Sequence, residues 1–350
     1  MTAEDNKLNQ EVDAKKIAFI ACVNDDKMWE RCKEHIFACN LPDDFSVEVL
    51  DVRNATSIFT GYQQGMESTN AKYKIYLHQD VMIVGEDFIV KLVDTFQKNE
   101  DCGLMGVVGC KDLPANGVWW GSRDTVGAVC DTVGGSPMHE RFYGGSADLP
   151  VEVAALDGLL LATQYDVNWR TDLFSGWHFY DISACFEFKR KNYKVMVLPQ
   201  DRPLVEHECG IVNLQGYDEA REIFLKEYSQ DRYVHFLEKL PNIDERLDYK
   251  YFSDGNKLCA IFKGRSTYRK IHYDIFLEND FCYICLCFET DEFKNEQTAE
   301  FLRRLSKKTG FYYMELAPIR LQGQFLLGEA PQRFQEFKDS TIDMVYEFFN

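Results

Sequence analysis

Short apolar runs alternate with amphipathic stretches from near the start of the chain, and their two periods separate strands from helices. KIAFIACV, ending at Val23, has the length and the β-branched, aromatic and small apolar composition of a buried strand. After it, NDDKMWERCKEHIFAC sets Met28, Trp29, Cys32, Ile36 and Phe37 at helical spacing, with Asn24, Asp25 or Asp26 able to cap the first turn. FSVEVLDV reads as a second strand, and NATSIFTGYQQGMEST as a second helix with Ile58, Phe59, Tyr62 and Met66 on one side. YKIYLHQDVMIV is a third strand carrying polar residues, EDFIVKLVDTFQKN a third helix and GLMGVVGC a fourth strand. Tandem strand–helix units predict an α/β domain with a mostly parallel sheet and right-handed crossovers. Ligands of such sheets gather at the carboxyl ends of the strands, which singles out Asn24–Asp25, Asp51–Asn54 and His78–Asp80.

The pattern changes over residues 111–150, where glycine, serine and aromatics dominate and no period is visible. A connection that long in a compact domain is either functional or mobile. Regular structure returns with VEVAALDGLLLAT, two short strands around Asp157–Gly158, then a helix in HFYDISACFEFKRKNY, a strand in YKVMVLP, and VEHECG as a polar loop. A helix from about Tyr217 to Leu240 reaches Pro241. Beyond it KLCAIFKG and YDIFLENDFCYICLCFE read as strands, EFKNEQTAEFLRRLSKKTG as a helix, FYYMELAP as a strand and PQRFQEFKDSTIDMVYEFF as a final helix. The expected organisation is a frayed arm over residues 1–15, an α/β domain over 16–240, and a small accessory α+β domain over 241–350 suited to packing, self-association or acceptor recognition.

Charge narrows the partners. With 39 basic against 57 acidic residues the formal net charge is −18, so neither nucleic acid nor an anionic lipid surface is an expected partner. No stretch is apolar enough for the roughly 18 residues a membrane span needs, and the polar N-terminus lacks the apolar core of a secretory signal. The 12 cysteines sit mostly in apolar strands or helix faces, among them Cys22, Cys110, Cys185, Cys259 and Cys285, and none falls into zinc-finger spacing. Reduced thiols used as small hydrophobes, in a cytoplasmic protein, fit that placement.

Several polar residues carry chemistry as well as a plainer reading. Asp80 at the tip of the third strand can hold Mg²⁺ or Mn²⁺, or simply cap a turn. Asp181 in the first turn of its helix can take a proton from a hydroxyl, or merely complement the helix dipole. His207 can ligate through a neutral imidazole, or be a solvated loop residue. Asp51, beside Arg53 and Asn54, can accept hydrogen bonds from a base or ribose, and Trp119, Trp120 and Trp177 can stack on a sugar or pack.

The order of these elements resembles the family 2 glycosyltransferases, in particular the variant domain named for streptomycin biosynthesis. The likeness runs through KIAFIACVND, the N-x-x-S-x-x-x-x-Y-x-x-G pattern of NATSIFTGYQQG, YKIYLHQDVMI, LDGLLLAT and HFYDISACFEFKRKNYKV, over about residues 15–230. The resemblance implies a Rossmann-like GT-A (nucleotide-diphospho-sugar transferase) fold that binds a nucleotide-sugar donor, with a UDP-sugar the first to try, and a carbohydrate or other hydroxyl acceptor. It implies Mn²⁺ or Mg²⁺ at Asp80 with His207 as an extra ligand, and Asp181 as the base of an inverting transfer in glycan or polysaccharide biosynthesis. Asn24, Asp51, Asn54, His78 and Asp157 fall on the donor side. Two departures stand out: His78 replaces the first Asp of the Asp-x-Asp element, and Tyr180 replaces the Glu before the base. They keep open a non-catalytic nucleotide- or glycan-binding scaffold. A sugar nucleotidyltransferase would want a Gly-rich phosphate loop after the first strand, and ACVNDDKMW has no glycine.

Overall fold

The computed structural model describes residues 11–133, 136–209, 213–253, 256–264, 270–278, 281–289, 293–315 and 318–349. Most of the expected arm, residues 1–10, and Gly134–Gly135 of the glycine-rich stretch lie outside them. The chain forms two compact units, one comprising residues up to Leu113 with Trp119–Phe224, the other Pro114–Val118 with residues from Leu225 onwards.

The first unit opens with β1 (Asp13–Val23), α1 (Asp26–Phe37), β2 (Ser46–Arg53), α2 (Ile58–Glu67), β3 (Ala71–Leu77), β4 (Val81–Ile83) and α3 (Phe88–Lys98). It continues with β5 (Cys102–Gly106), β6 (Val108–Cys110), β7 (Thr125–Val133), β8 (Ser136–Phe142), β9 (Val151–Glu152), β10 (Ala155–Leu156) and β11 (Leu160–Thr163). α4 (Tyr180–Arg190), β12 (Lys194–Val197), β13 (Val205–His207) and α5 (Tyr217–Glu227) complete the series. β1 begins at Asp13, inside the expected arm, because its first residue already pairs with Ala71 and bonds the Asn70 carbonyl.

Seven strands form the larger sheet in the order β2-β1-β3-β11-β5-β12-β9. Ile17–Ala21 of β1 are fully buried, as a central strand covered on both faces requires. The sheet is mixed where tandem strand–helix units predict a mostly parallel one. β1–β2, β1–β3 and β5–β12 are parallel, whereas β11 runs antiparallel to β3 and β5, and β9 antiparallel to β12. The reason is local: β10 runs antiparallel to β6, which continues β5, and β11 carries on from β10 in that reversed direction. A second sheet runs β10-β6-β7-β13-β4, with β8 on β7.

That second sheet overturns four readings. The third apolar run is two strands, β3 and β4, and the fourth is β5 and β6, each pair split between the sheets. The aperiodic stretch after residue 110 contains β7 and β8. VEHECG contributes strand β13, held between β4 and β7. Partners this distant in sequence leave no local period.

In the second unit β14 (Leu247–Phe252), β15 (Lys257–Phe262), β16 (Ile271–Glu278), β17 (Phe281–Phe288), β18 (Tyr312–Met314) and β19 (Ile319–Leu326) form an antiparallel sheet ordered β14-β15-β16-β17-β19-β18. α6 (Ser229–Glu238), α7 (Glu296–Thr309) and α8 (Ala330–Phe349) share one core with it, through Phe236, Leu302, Phe334, Tyr273, Ile284 and Leu286. The single helix expected up to Pro241 is two, because Tyr228 leaves helical geometry (φ −104°, ψ 14°) and buries its ring. Tyr233, Phe236 and Leu240 belong to the second core, so the division falls before α6 and not at Pro241.

Close packing of α2 on β1 rests on Gly65, where an added Cβ would stand 2.3 Å from Ile20 Cγ2. Alanine gains about 1 kcal/mol of helix propensity, while overpacking a close-packed core costs about 1–3 kcal/mol. Ile20 is fully buried and cannot yield, so overpacking wins. Gly65→Ala is expected to lower stability by about 1–2 kcal/mol in chemical denaturation; an unchanged midpoint would refute the packing account.

Candidate functional site

The site is built where the chain passes between the two sheets of the first unit. β3 leads into β4 through His78, Gln79 and Asp80, and β10 leads into β11 through Asp157, Gly158 and Leu159. Backbone hydrogen bonds lock these passages: the His78 amide donates to the Leu159 carbonyl at 3.1 Å, and the Asp157 amide to the Val108 carbonyl at 2.9 Å. His207 arrives on β13, opposite Val81 in the β4 pairing, and the following Glu208 amide donates to the Asp80 carbonyl at 2.9 Å.

Three side chains then converge. His78 Nδ1 is 3.9 Å and His207 Nε2 3.6 Å from the same oxygen, Asp80 Oδ1. Ligand atoms of all three lie within 4.8 Å of one another. Asp80 Oδ1 is buried and accepts no hydrogen bond among the described residues, an arrangement that is costly for a carboxylate without a cationic neighbour. Burial pushes the Asp80 carboxyl upward, but His207 and then His78 more than offset it, leaving it below its usual range. Burial likewise pulls on His207, yet Asp80 outweighs it and the imidazole ends above its ordinary value. His78 ends below, through burial and the proximity of His207. Two imidazoles and a carboxylate around one unpaired oxygen fit a divalent cation, and the nitrogen-rich set suits Mn²⁺ better than Mg²⁺. His207 also neighbours Asp131 and Cys209, whose ligand atoms lie with its own inside 4.8 Å.

Tyr180 ties this cluster to the proposed base. Its hydroxyl is 2.5 Å from His78 Nε2, which leaves Nδ1 facing Asp80. The ring passes directly over Gly158, where any Cβ would meet the Tyr180 hydroxyl at 2.2 Å. α4 starts from Phe179, buried and in the left-handed region at φ 62°, a strained conformation for an aromatic residue that sets the direction of Tyr180 and Asp181. The Gly158 amide donates to Asp181 Oδ2 at 3.1 Å and the Ile182 amide to Oδ1 at 2.8 Å. Burial, and then the neighbouring Asp157, raise the Asp181 carboxyl to about 7 in spite of those amides.

Asn24, Asn54, His78 and Asp80 line one cleft of about 690 Å³, together with Arg53, Tyr62, Gln79 and Trp177. Gln79 fastens its floor, accepting from the amides of Asn24 and Asp25 at 2.9 and 3.0 Å. Asp51 is not in the lining: its carboxylate binds Arg53 at 2.7 Å, and Arg53 in turn reaches Asp26 at 2.8 Å. Asp157 accepts from the Leu159 amide at 3.0 Å on the Asp181 side. Of the three tryptophans, Trp177 borders the cleft and is half exposed, whereas Trp119 is buried and Trp120 packs on Tyr217.

A family model described as glycosyltransferase-like matches residues 18–228. The chain belongs to this glycosyltransferase-like family. The match takes in every site residue named above and ends just before α6. No curated protein matches the chain. Membership supports a transferase acting between a nucleotide-sugar donor and an acceptor, and among the described residues no helix is long and apolar enough to cross a membrane.

The sequence sets Tyr62 on the apolar side of α2 but gives no sign that it reaches the cleft, and it assigns no role to Gln79, Asp131 or Cys209. The sequence does put an aromatic hydroxyl immediately before Asp181, but nothing in it shows that this hydroxyl faces His78. Replacing Tyr180 by Phe leaves His78 Nε2 without that partner in a buried setting. An unsatisfied buried group costs about 1–3 kcal/mol, and Tyr180→Phe should lose that much in urea unfolding with its secondary structure unchanged; wild-type stability would mean the bond carries no weight.

Proposed function

We propose that the chain is a divalent-cation-dependent, inverting glycosyltransferase that moves a sugar from a nucleotide-diphosphate donor to an acceptor hydroxyl. The observation that carries this reading is the convergence of His78, Asp80 and His207 on one unpaired carboxylate oxygen. It is coupled through Tyr180 to a second carboxylate, Asp181, whose proton affinity sits near neutrality.

His78, Asp80 and His207 would hold Mn²⁺ or Mg²⁺, and that ion, when bound, supplies the positive charge that offsets the departing diphosphate. The protein's own part is positional. Asn24, Asn54 and Trp177 border the space for the donor, and Gln79 holds the end of β1 against the turn after β3. Asp181 takes the proton of the acceptor hydroxyl as the new bond to the anomeric carbon forms and the bond to the diphosphate oxygen breaks on the opposite face. Amides of Gly158 and Ile182 keep its oxygens from rotating away. A carboxyl titrating near 7 is a stronger base than an exposed Asp and still substantially ionised at neutral pH.

Donor preference is read by mixing the full chain with UDP-, GDP- and dTDP-sugars plus Mn²⁺ and an acceptor panel, and following release of nucleoside diphosphate. Asp181→Asn should cut kcat by roughly 10²–10⁴ while donor affinity persists. Because the deprotonated form is the active one, wild-type kcat should climb with pH through about 7 and level off above it. A flat profile, or full turnover by the Asn variant, removes Asp181 from the role of base.

Asp80→Ala takes away the oxygen shared by both imidazoles. Titration calorimetry with Mn²⁺ should then show at least tenfold weaker uptake at the His78 and His207 side chains, with turnover lost in parallel. Unchanged Mn²⁺ affinity would place the cation elsewhere.

A further inference from the structure

A second group of ligand-type side chains lies in the other unit, on the face of its sheet turned away from α7 and α8. Strand alternation puts Leu258, Ala260, Tyr273 and Leu286 into the helix-covered core. The intervening positions Cys259, His272, Asp274 and Cys287 fall on the opposite face, where an apolar surface or a solvated one would be ordinary. Here the residues are neither apolar nor solvated: all four are almost fully buried.

We propose that Cys259, His272 and Asp274 form a binding site for a zinc-class divalent cation. Register brings them together: Cys259 is directly opposite Asp274 across β15–β16, and His272 is two residues before Asp274 on the same face. Asp274 Oδ1 is 2.9 Å from Cys259 Sγ and 3.1 Å from His272 Nε2, and the three ligand atoms lie mutually within 4.8 Å. Zinc bonds of about 2.3 Å to sulfur and 2.0–2.2 Å to nitrogen and oxygen place tetrahedral ligands roughly 3.3–3.5 Å apart, so small side-chain movements open the space.

The atoms behind these ligands are arranged as coordination requires. His272 turns Nε2 toward Asp274 and Nδ1 toward Glu289 Oε1 at 3.6 Å, the carboxylate–histidine pairing that orients a ligating imidazole. Asp274 turns Oδ1 toward Cys259 and His272 while Oδ2 meets Lys257 Nζ at 3.1 Å, so ligation through Oδ1 would exchange those two contacts for bonds to the ion. Two further thiols share this face: Cys285 is directly opposite Asp274 across β16–β17, and Cys287 Sγ lies 3.7 Å from Oδ2. Sulfur, nitrogen and oxygen together select Zn²⁺ over Mg²⁺ or Ca²⁺. On binding, the Cys259 thiol gives its proton to solvent and the thiolate closes on the ion, with no change of oxidation state.

The full chain, stripped with a chelator and titrated with Co²⁺, tests this. Expected is a bound Co²⁺ with thiolate-to-cobalt charge-transfer absorption, reversed by Zn²⁺, beside any Co²⁺ held by His78, Asp80 and His207 without such a band. That absorption should persist in Asp80→Ala and in Cys209→Ser, which separates it from the first unit, and vanish in Cys259→Ser. Glu289→Gln should retain it with affinity lowered roughly 10- to 100-fold. Absence of the thiolate band in the unaltered chain, or its persistence in folded Cys259→Ser, overturns the proposal. Should Cys259→Ser fail to fold, the Glu289→Gln titration decides, and unchanged affinity overturns it equally.

Discussion

The hydrogen bond from the His78 amide to the Leu159 carbonyl joins two passages of the chain between sheets, and the geometry of the site depends on it. One passage delivers His78 and Asp80, the other Asp157 and Gly158. Without that register the Tyr180 ring would have no glycine to cross and its hydroxyl no imidazole to meet. Each passage is short because a strand of the larger sheet continues almost directly into a strand of the smaller one. Polar side chains at such points escape the apolar interior of both sheets while their backbones stay fixed by two ladders. That combination gives precise placement without a long loop to order.

Charge explains why the cluster is poised as it is. The chain carries a formal −18, and Asp80, Asp131, Asp157 and Asp181 all act on one another or on the two imidazoles. Arg53, the guanidinium bordering the cleft, is already shared between Asp51 and Asp26. A diphosphate entering the cleft would meet little uncommitted positive charge, so under the proposed function the charge has to be imported by a cation. Asp181 is kept basic first by burial and then by Asp157, against the backbone amides that favour its ionised form.

Much of the first unit was legible because α1, α2 and α3 each bury one face and carry a helical period, while β1 is a continuous buried apolar run of strand length. The smaller sheet was not. β4, β6 and β13 are three residues long, too short for any period, and each draws its stability from partners far away in sequence. His207 consequently read as a loop residue although it is a strand residue. Asp80, Asp181 and His207 were nameable only through their order along the chain, since each taken alone has an ordinary structural explanation. Tyr180 was misjudged for a different reason: a sequence shows what has been replaced, here a carboxylate, but not what the replacement faces. Asp51 is paired with its charged neighbour Arg53 and lies outside the cleft lining, a local competition that a list of polar residues after strands cannot rank.

Both ligand clusters share a construction that spacing rules do not detect. Zinc-finger and Asp-x-Asp patterns work where one short loop supplies neighbouring ligands, but antiparallel register can assemble a set from strands whose residues are 13 to 15 apart, as Cys259, His272 and Asp274 are. In each cluster an imidazole is aimed by a group behind it, His78 by Tyr180 and His272 by Glu289. The two backing groups differ in kind. A phenol can donate or accept without charge, whereas a carboxylate raises the basicity of the imidazole it backs. The distinction agrees with where each cluster sits. One borders an open cleft, where under the proposed function a cation would meet successive donors, and the other is buried in a sheet, where a bound ion would join three ligands on two neighbouring strands.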